Sequence, residues 1–150
     1  MVKKTTDAGI KKYFGIFESR EAIVNELAQT SYSNNAEAER AAWLENNPLF
    51  PEEKEILFAA YDYEDYSGSA VMLFKKNGKL YEYTGSHCSC NGLEDSVFSA
   101  GETSWEALAL RNPEGELYGY GHHSAEAVEA VKQLVAKNAK NAKNAKKARK

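Results

Sequence analysis

Ala70-Val71-Met72-Leu73-Phe74-Lys75-Lys76-Asn77-Gly78-Lys79-Leu80-Tyr81-Glu82-Tyr83-Thr84 is the stretch on which the fold turns. Two runs rich in branched and aromatic residues flank Asn77-Gly78, the strongest short hairpin signal, because both central residues of a type I′ turn need positive φ. A two-residue turn at that point sets Phe74 opposite Tyr81 and Met72 opposite Tyr83. Val71 and Leu73 then share the other face with Leu80, Glu82 and Thr84. The first face is larger and more aromatic, so it is expected to meet the core. Upstream, Glu55 to Tyr63 has the same strand-like composition, and Glu64 to Gly68 turns. A three-stranded antiparallel meander follows, with a fourth strand expected at Glu116 to Tyr120.

Helical signals flank the meander. Ser19 can cap a helix in which Ile23, Val24, Leu27 and Ala28 recur at helical spacing. Asn35 can cap a second, with Ala38, Ala41, Ala42 and Trp43 turned inward, and Asn46-Asn47-Pro48 stops it. Thr103-Ser104-Trp105-Glu106 reads as a capping box with Thr103 at its head. Ser124 precedes a last helix whose apolar stripe, Ala127, Val128, Val131, Leu134 and Val135, ends at Ala136. The fold expected is α+β: a three- or four-stranded antiparallel meander packed with N- and C-terminal helices, plus a basic tail.

Composition sets the outer bounds. The chain has 150 residues, 43% hydrophobic and 27% charged, ordinary values for one globular domain. No apolar run approaches the ~20 residues of a membrane helix. Met1 to Asp7 has no apolar segment behind it, so a cytoplasmic protein without membrane contact is expected. Cys88 and Cys90, separated by one residue, would close a strained ring as a disulfide, so reduced thiols are expected.

The net charge of −3 conceals a division. All 22 acidic residues lie between Asp7 and Glu129, whereas eight basic and no acidic residues follow from Lys132. Residues 1–131 therefore carry 11 basic and 22 acidic groups, a charge of −11. Residues 1–136 are expected to form the acidic domain and 137–150 a basic tail. The tail repeats Lys-Asn-Ala, and a period of three keeps no single face on a 3.6-residue helix, so a frayed helix or solvated tail is expected. Its sharper reading is nucleic-acid contact.

Two constellations could carry function. Gly85-Ser86-His87-Cys88-Ser89-Cys90-Asn91-Gly92 gathers reactive residue types in a glycine-bracketed loop. His87, Cys88 and Cys90 with His122 or His123 are zinc-ligand types, although paired cysteines usually stand two or more residues apart. A cysteine activated by a histidine is a second reading, and a tight loop with buried thiols is the third. The expectation is no cofactor and no metal; were one held, His87, Cys88, Cys90 and His122 would hold it. The other constellation is Asp62, Tyr63, Glu64, Asp65 and Tyr66, after Tyr61. Here carboxylates could stand where nucleic-acid phosphates would, with tyrosines as anchors, or the run is a solvated strand end. Glycine-rich phosphate loops, zinc-protease motifs and serine-nucleophile elbows are absent from the sequence.

Tyr61-Asp62-Tyr63, Ser69-Ala70-Val71, Asn77 to Glu82, Gly85 to Glu94 and Glu102 to Leu108 together resemble a group of short proteins encoded by tailed bacteriophages. The histidine-cysteine-serine-cysteine run is the specific part of that resemblance. The resemblance implies an inhibitor of host machinery such as a defence nuclease or a polymerase. Combined with the −11 body, it gives the leading expectation. This is a non-enzymatic protein whose acidic surface, Asp62 to Tyr66, binds a host protein with a basic surface. The alternatives are a zinc- or thiol-centred enzyme or switch at the histidine-cysteine loop, and a nucleic-acid binder using the tail.

Overall fold

The computed structural model describes residues 11–28, 34–64, 67–87, 98, 100–109 and 125–148. Its centre is a five-stranded sheet of order β1-β2-β3-β4-β5. The strands are β1 (Tyr13–Gly15), β2 (Ile56–Glu64), β3 (Ser67–Lys76), β4 (Lys79–His87) and β5 (Gly101–Thr103). The helices are α1 (Arg20–Ala28), α2 (Ala36–Asn46), α3 (Trp105–Ala109) and α4 (Ala125–Ala148). The fold is α+β.

The Asn77-Gly78 turn forms as expected, with φ of +55° and +77°. It fixes the expected register, Phe74 against Tyr81 and Met72 against Tyr83. β2 joins β3 antiparallel, completing the meander. The sheet then departs from expectation at both edges. β1 pairs parallel with β2, and β5 pairs antiparallel with β4 at Gly101–Thr103. The fourth strand expected at Glu116 to Tyr120 lies outside the described residues.

The expectation of one core face also needs correction. Met72, Phe74, Tyr83, Ala59 and Tyr61 pack with Phe17, Ile23, Val24, Leu27 and Trp43, which puts α1 and α2 on the first face. Val71, Leu73, Leu80, Phe58 and Ala60 pack with Leu108, Ala127, Val131, Leu134 and Val135, which puts α3 and α4 on the second. The smaller branched residues of the second face match a helix stripe of similar size, and both sides of β3 are dry from Ala70 to Phe74. The result is three layers: helices, sheet, helices.

The helix ends follow local chemistry. Ser19 Oγ accepts the Ala22 N–H at 3.1 Å and caps α1. α3 is capped by Ser104, whose Oγ accepts the Ala107 N–H at 3.1 Å. Thr103, expected as the cap, is instead the last residue of β5. Asn35 occupies the α2 cap position without a side-chain cap bond. Only Trp43 of α2 is buried, while Ala38, Ala41 and Ala42 are exposed. A methyl group gains little from burial, and alanine is the best helix former on a wet face, so its periodicity misleads. α4 runs without interruption to Ala148, so the tail is helical through that residue. Among the described residues, no helix is long and apolar enough to cross a membrane.

Candidate functional site

Strand register brings Asp62, Tyr63 and Glu64 of one sequence constellation and Gly85, Ser86 and His87 of the other to one end of the sheet. Asp62 stands beside Ser69, which stands beside Ser86; Tyr63, Gly68 and His87 form the next row across β2, β3 and β4. Glu64 pairs with Ser67 as the last rung of the β2–β3 ladder. Asp62, Tyr63 and Glu64 thus lie on a paired strand end, and the histidine-cysteine run leaves the same end from His87. Asp65, Tyr66, Cys88, Cys90, His122 and His123 lie outside the described residues. Among the described residues, no group of three or more histidine, cysteine, aspartate or glutamate side chains is placed to hold a metal.

Downstream of the histidine-cysteine run the chain is anchored at Phe98, which belongs to none of the elements expected from the sequence. Its ring meets those of Trp43, Phe50, Phe74 and Tyr83 with centroids 5.1 to 6.3 Å apart. Its backbone N–H donates to Asn47 Oδ1 at 2.7 Å. The ten residues from Cys88 to Val97 therefore connect the end of β4 to a residue held in the core. A lone phenylalanine in a polar stretch was the available signal.

Charge is divided unevenly along the chain. From Glu18 to Glu53, the segment that builds α1 and α2, there are eight glutamates and two arginines, a net −6. Glu18, Glu21, Glu37, Glu39, Glu45 and Glu52 are exposed. α4, on the opposite side of the sheet, carries two glutamates and six lysines. Five of those lysines follow Val135, the last buried residue of α4, so the positive charge lies along the helix beyond the part packed on the sheet.

Beneath the acidic layer lies a cleft of about 380 Å³ lined by Ser19, Arg20, Glu21, Val24, Arg40, Leu44 and Glu53. Arg40 Nη2 lies 3.6 Å from Glu21 Oε1 within it. Arg20 Nε donates to the Pro51 carbonyl at 2.7 Å, and Arg40 Nη1 donates to Asn25 Oδ1 at 2.8 Å. Glu53, which lines it, is held by two further groups: the Tyr13 hydroxyl donates to Glu53 Oε2 at 2.6 Å, and Lys12 Nζ donates to the Glu53 carbonyl at 3.0 Å. Glu53 Oε1 is buried without a hydrogen bond, 3.6 Å from Lys12 Nζ. Burial first, then the hydrogen bond to Glu53, hold the Tyr13 hydroxyl protonated well above the ordinary tyrosine range. The cluster fastens β1 to the turn before β2. A lysine only 3% exposed reads as surface in a sequence, which is why Lys12 was missed.

The fold and this charge pattern define a three-layer α+β domain with an acidic helical face and a basic helical arm. No protein-family model matches the chain, and comparison with curated proteins and with solved structures found no match.

Proposed function

We propose that this is a non-enzymatic binding protein of the kind tailed phages encode. In this reading its acidic surface occupies a basic, nucleic-acid-facing surface on a host protein and inhibits it. The observation that carries the reading is the placement of Asp62 to Glu64 at the end of three paired strands, in a body of net −11. Backbone already held by strand pairing loses little entropy on binding, and long-range attraction from the body speeds encounter with a positive partner. Asp62, Tyr63, Glu64, Asp65 and Tyr66 would form the contact. The register row of Tyr63, Gly68 and His87 also favours a second reading, in which the loop beginning at Cys88 makes or shares that contact.

The test uses the full chain to capture host nucleic-acid enzymes, whose inhibition is then titrated. The wild-type protein should inhibit, and Asp62→Lys, Glu64→Lys and Asp65→Lys together should lose about tenfold or more in potency, mainly through slower association. The Cys88→Ser, Cys90→Ser double variant should retain inhibition. Normal inhibition by the folded charge-reversed protein would overturn the acidic-surface reading, and a folded but inactive cysteine variant would assign the contact to the loop.

A further inference from the structure

Helix α4 has two parts that differ in packing and in charge. Its first half is bound to the sheet through Ala127, Ala130, Val131, Leu134 and Val135. After Val135 no described side chain is buried: Ala136, Lys137 and Lys140 are exposed and Asn138 and Ala139 are half-buried, yet the helix continues to Ala148. At 1.5 Å per residue, the part beyond Val135 adds roughly 20 Å. We propose that residues 136–148 are a DNA-binding arm that lies in the major groove of duplex DNA.

Its composition is not explained by helix stability. Cations near a helix C-terminus offset the dipole, but only within the last turn, whereas Lys137, Lys140 and Lys143 precede that turn. Asparagine is a poorer helix former than alanine, glutamine or lysine, so Asn138, Asn141 and Asn144 weaken the element they sit in. Lysine, asparagine and alanine do suit a groove. Lysine neutralises backbone phosphate, asparagine can pair with an adenine edge, and alanine lets the backbone approach closely.

The spacing selects among anionic partners. Three residues turn an α-helix through about 300°, so each repeat steps back by about 60°. Lys137, Lys140, Lys143 and Lys146 thereby sweep about half the circumference. A flat partner, such as an anionic membrane or an acidic protein surface, calls for one charged stripe at three- and four-residue spacing. A partner that flanks the helix on both sides calls for the sweep. The B-DNA major groove admits one α-helix between two phosphate walls, while the deep, narrow major groove of A-form RNA does not.

The acidic body does not cancel this attraction. Its α1 and α2 layer lies across the sheet from α4. Along the helix itself, Glu129 is the last acid, and Lys143 is roughly 21 Å further on. That exceeds two screening lengths of ~8 Å at physiological salt. The inference stands independently of the acidic-surface reading, and either can fail alone.

The experiment measures binding of the full chain to a labelled 20-base-pair DNA duplex, the same duplex as RNA, and anionic lipid vesicles, at 50 and 200 mM salt. Duplex DNA should bind at least about tenfold tighter than duplex RNA, and its affinity should drop roughly a hundredfold between the two salts for four phosphate contacts. Lys140→Gln, Lys143→Gln, Lys146→Gln and Lys147→Gln together keep helix propensity and should abolish DNA binding with circular dichroism unchanged. Lys75→Gln with Lys79→Gln, exposed positions on the hairpin, should leave it intact. No DNA binding at 50 mM salt, equal binding of RNA, preference for vesicles, or undiminished binding by the four-lysine variant would each overturn the proposal.

Discussion

Asn47 and Phe98, fifty-one residues apart, are joined by a buried hydrogen bond in which the Phe98 backbone N–H donates to Asn47 Oδ1 at 2.7 Å. The same carboxamide donates through Nδ2 to the Trp43 carbonyl at 2.8 Å, closing α2. One side chain, 4% exposed, thus ends a helix and pins the strand-to-strand connection beneath it. Asn47→Ala leaves a buried donor and acceptor unmet and should cost about 2–3 kcal/mol in urea denaturation. Asn47→Leu keeps the volume but not the bonds and should cost as much. A cost under about 1 kcal/mol for the leucine variant would show that packing, not hydrogen bonding, holds the junction.

Tyr13 gives stability a pH dependence at the alkaline end. Its folded hydroxyl resists ionisation because it is buried and donates to the Glu53 carboxylate. In the unfolded chain it ionises near pH ~10. Above that pH the folded state holds a proton that the unfolded state has released, so stability present below pH ~10 is lost as pH rises, by at most about 1.4 kcal/mol per pH unit. Tyr13→Phe should lower stability at pH 7 by removing the hydrogen bond. It should also flatten the alkaline decline relative to wild type, as read by denaturant midpoints from pH 8 to 11. Parallel declines would exclude Tyr13 as the source.

The second core predicts a large effect at a position that a one-faced meander would leave wet. Leu73→Ala should cost about 2–5 kcal/mol, since Leu73 is fully buried against the α3 and α4 side. At a solvent-facing position the same change stays within about 0.5 kcal/mol. Thermal or chemical denaturation decides between them.

How much was legible in the sequence can be argued residue by residue. Asn77-Gly78 was decisive because its positive-φ requirement is a local property that tertiary context does not alter. Ser19 was legible for the same reason, as was the α4 stripe with its sustained period. Three features depended on partners that the sequence does not name. β1 is three residues long and includes no signal stronger than Tyr13-Phe14, and its neighbour Lys12 is buried only because Glu53 meets it. The second sheet face became core only because α4 returned to cover it. The α2 alanines had the period of a packed face without the volume to need one. For the candidate site, Asp62 to Glu64 and His87 were legible as residue types, but their convergence was not, because it rests on the β2–β3–β4 register beyond the hairpin.

Removing residues 139–150 separates stability, the acidic body and the basic arm in one variant. The cut spares Asn138, whose Nδ2 donates to the Leu134 carbonyl at 2.8 Å, and it spares every buried α4 residue. The denaturation midpoint should therefore move by less than the equivalent of about 0.5 kcal/mol, while helical ellipticity falls. Six basic residues leave with the segment, taking the net charge from −3 to −9. Two binding effects of opposite sign should follow. Duplex DNA binding should vanish, because the phosphate-neutralising groups are gone. Association with a basic protein target should quicken at low salt, because the remaining field is more uniformly negative, and the gain should fade as salt rises. Stopped-flow association at several ionic strengths, beside DNA titrations, reads both. A truncated chain that binds its protein target more slowly would mean that the arm, and not only the acidic body, contacts the target. A stability loss beyond ~1 kcal/mol would mean that the arm packs on the domain after all.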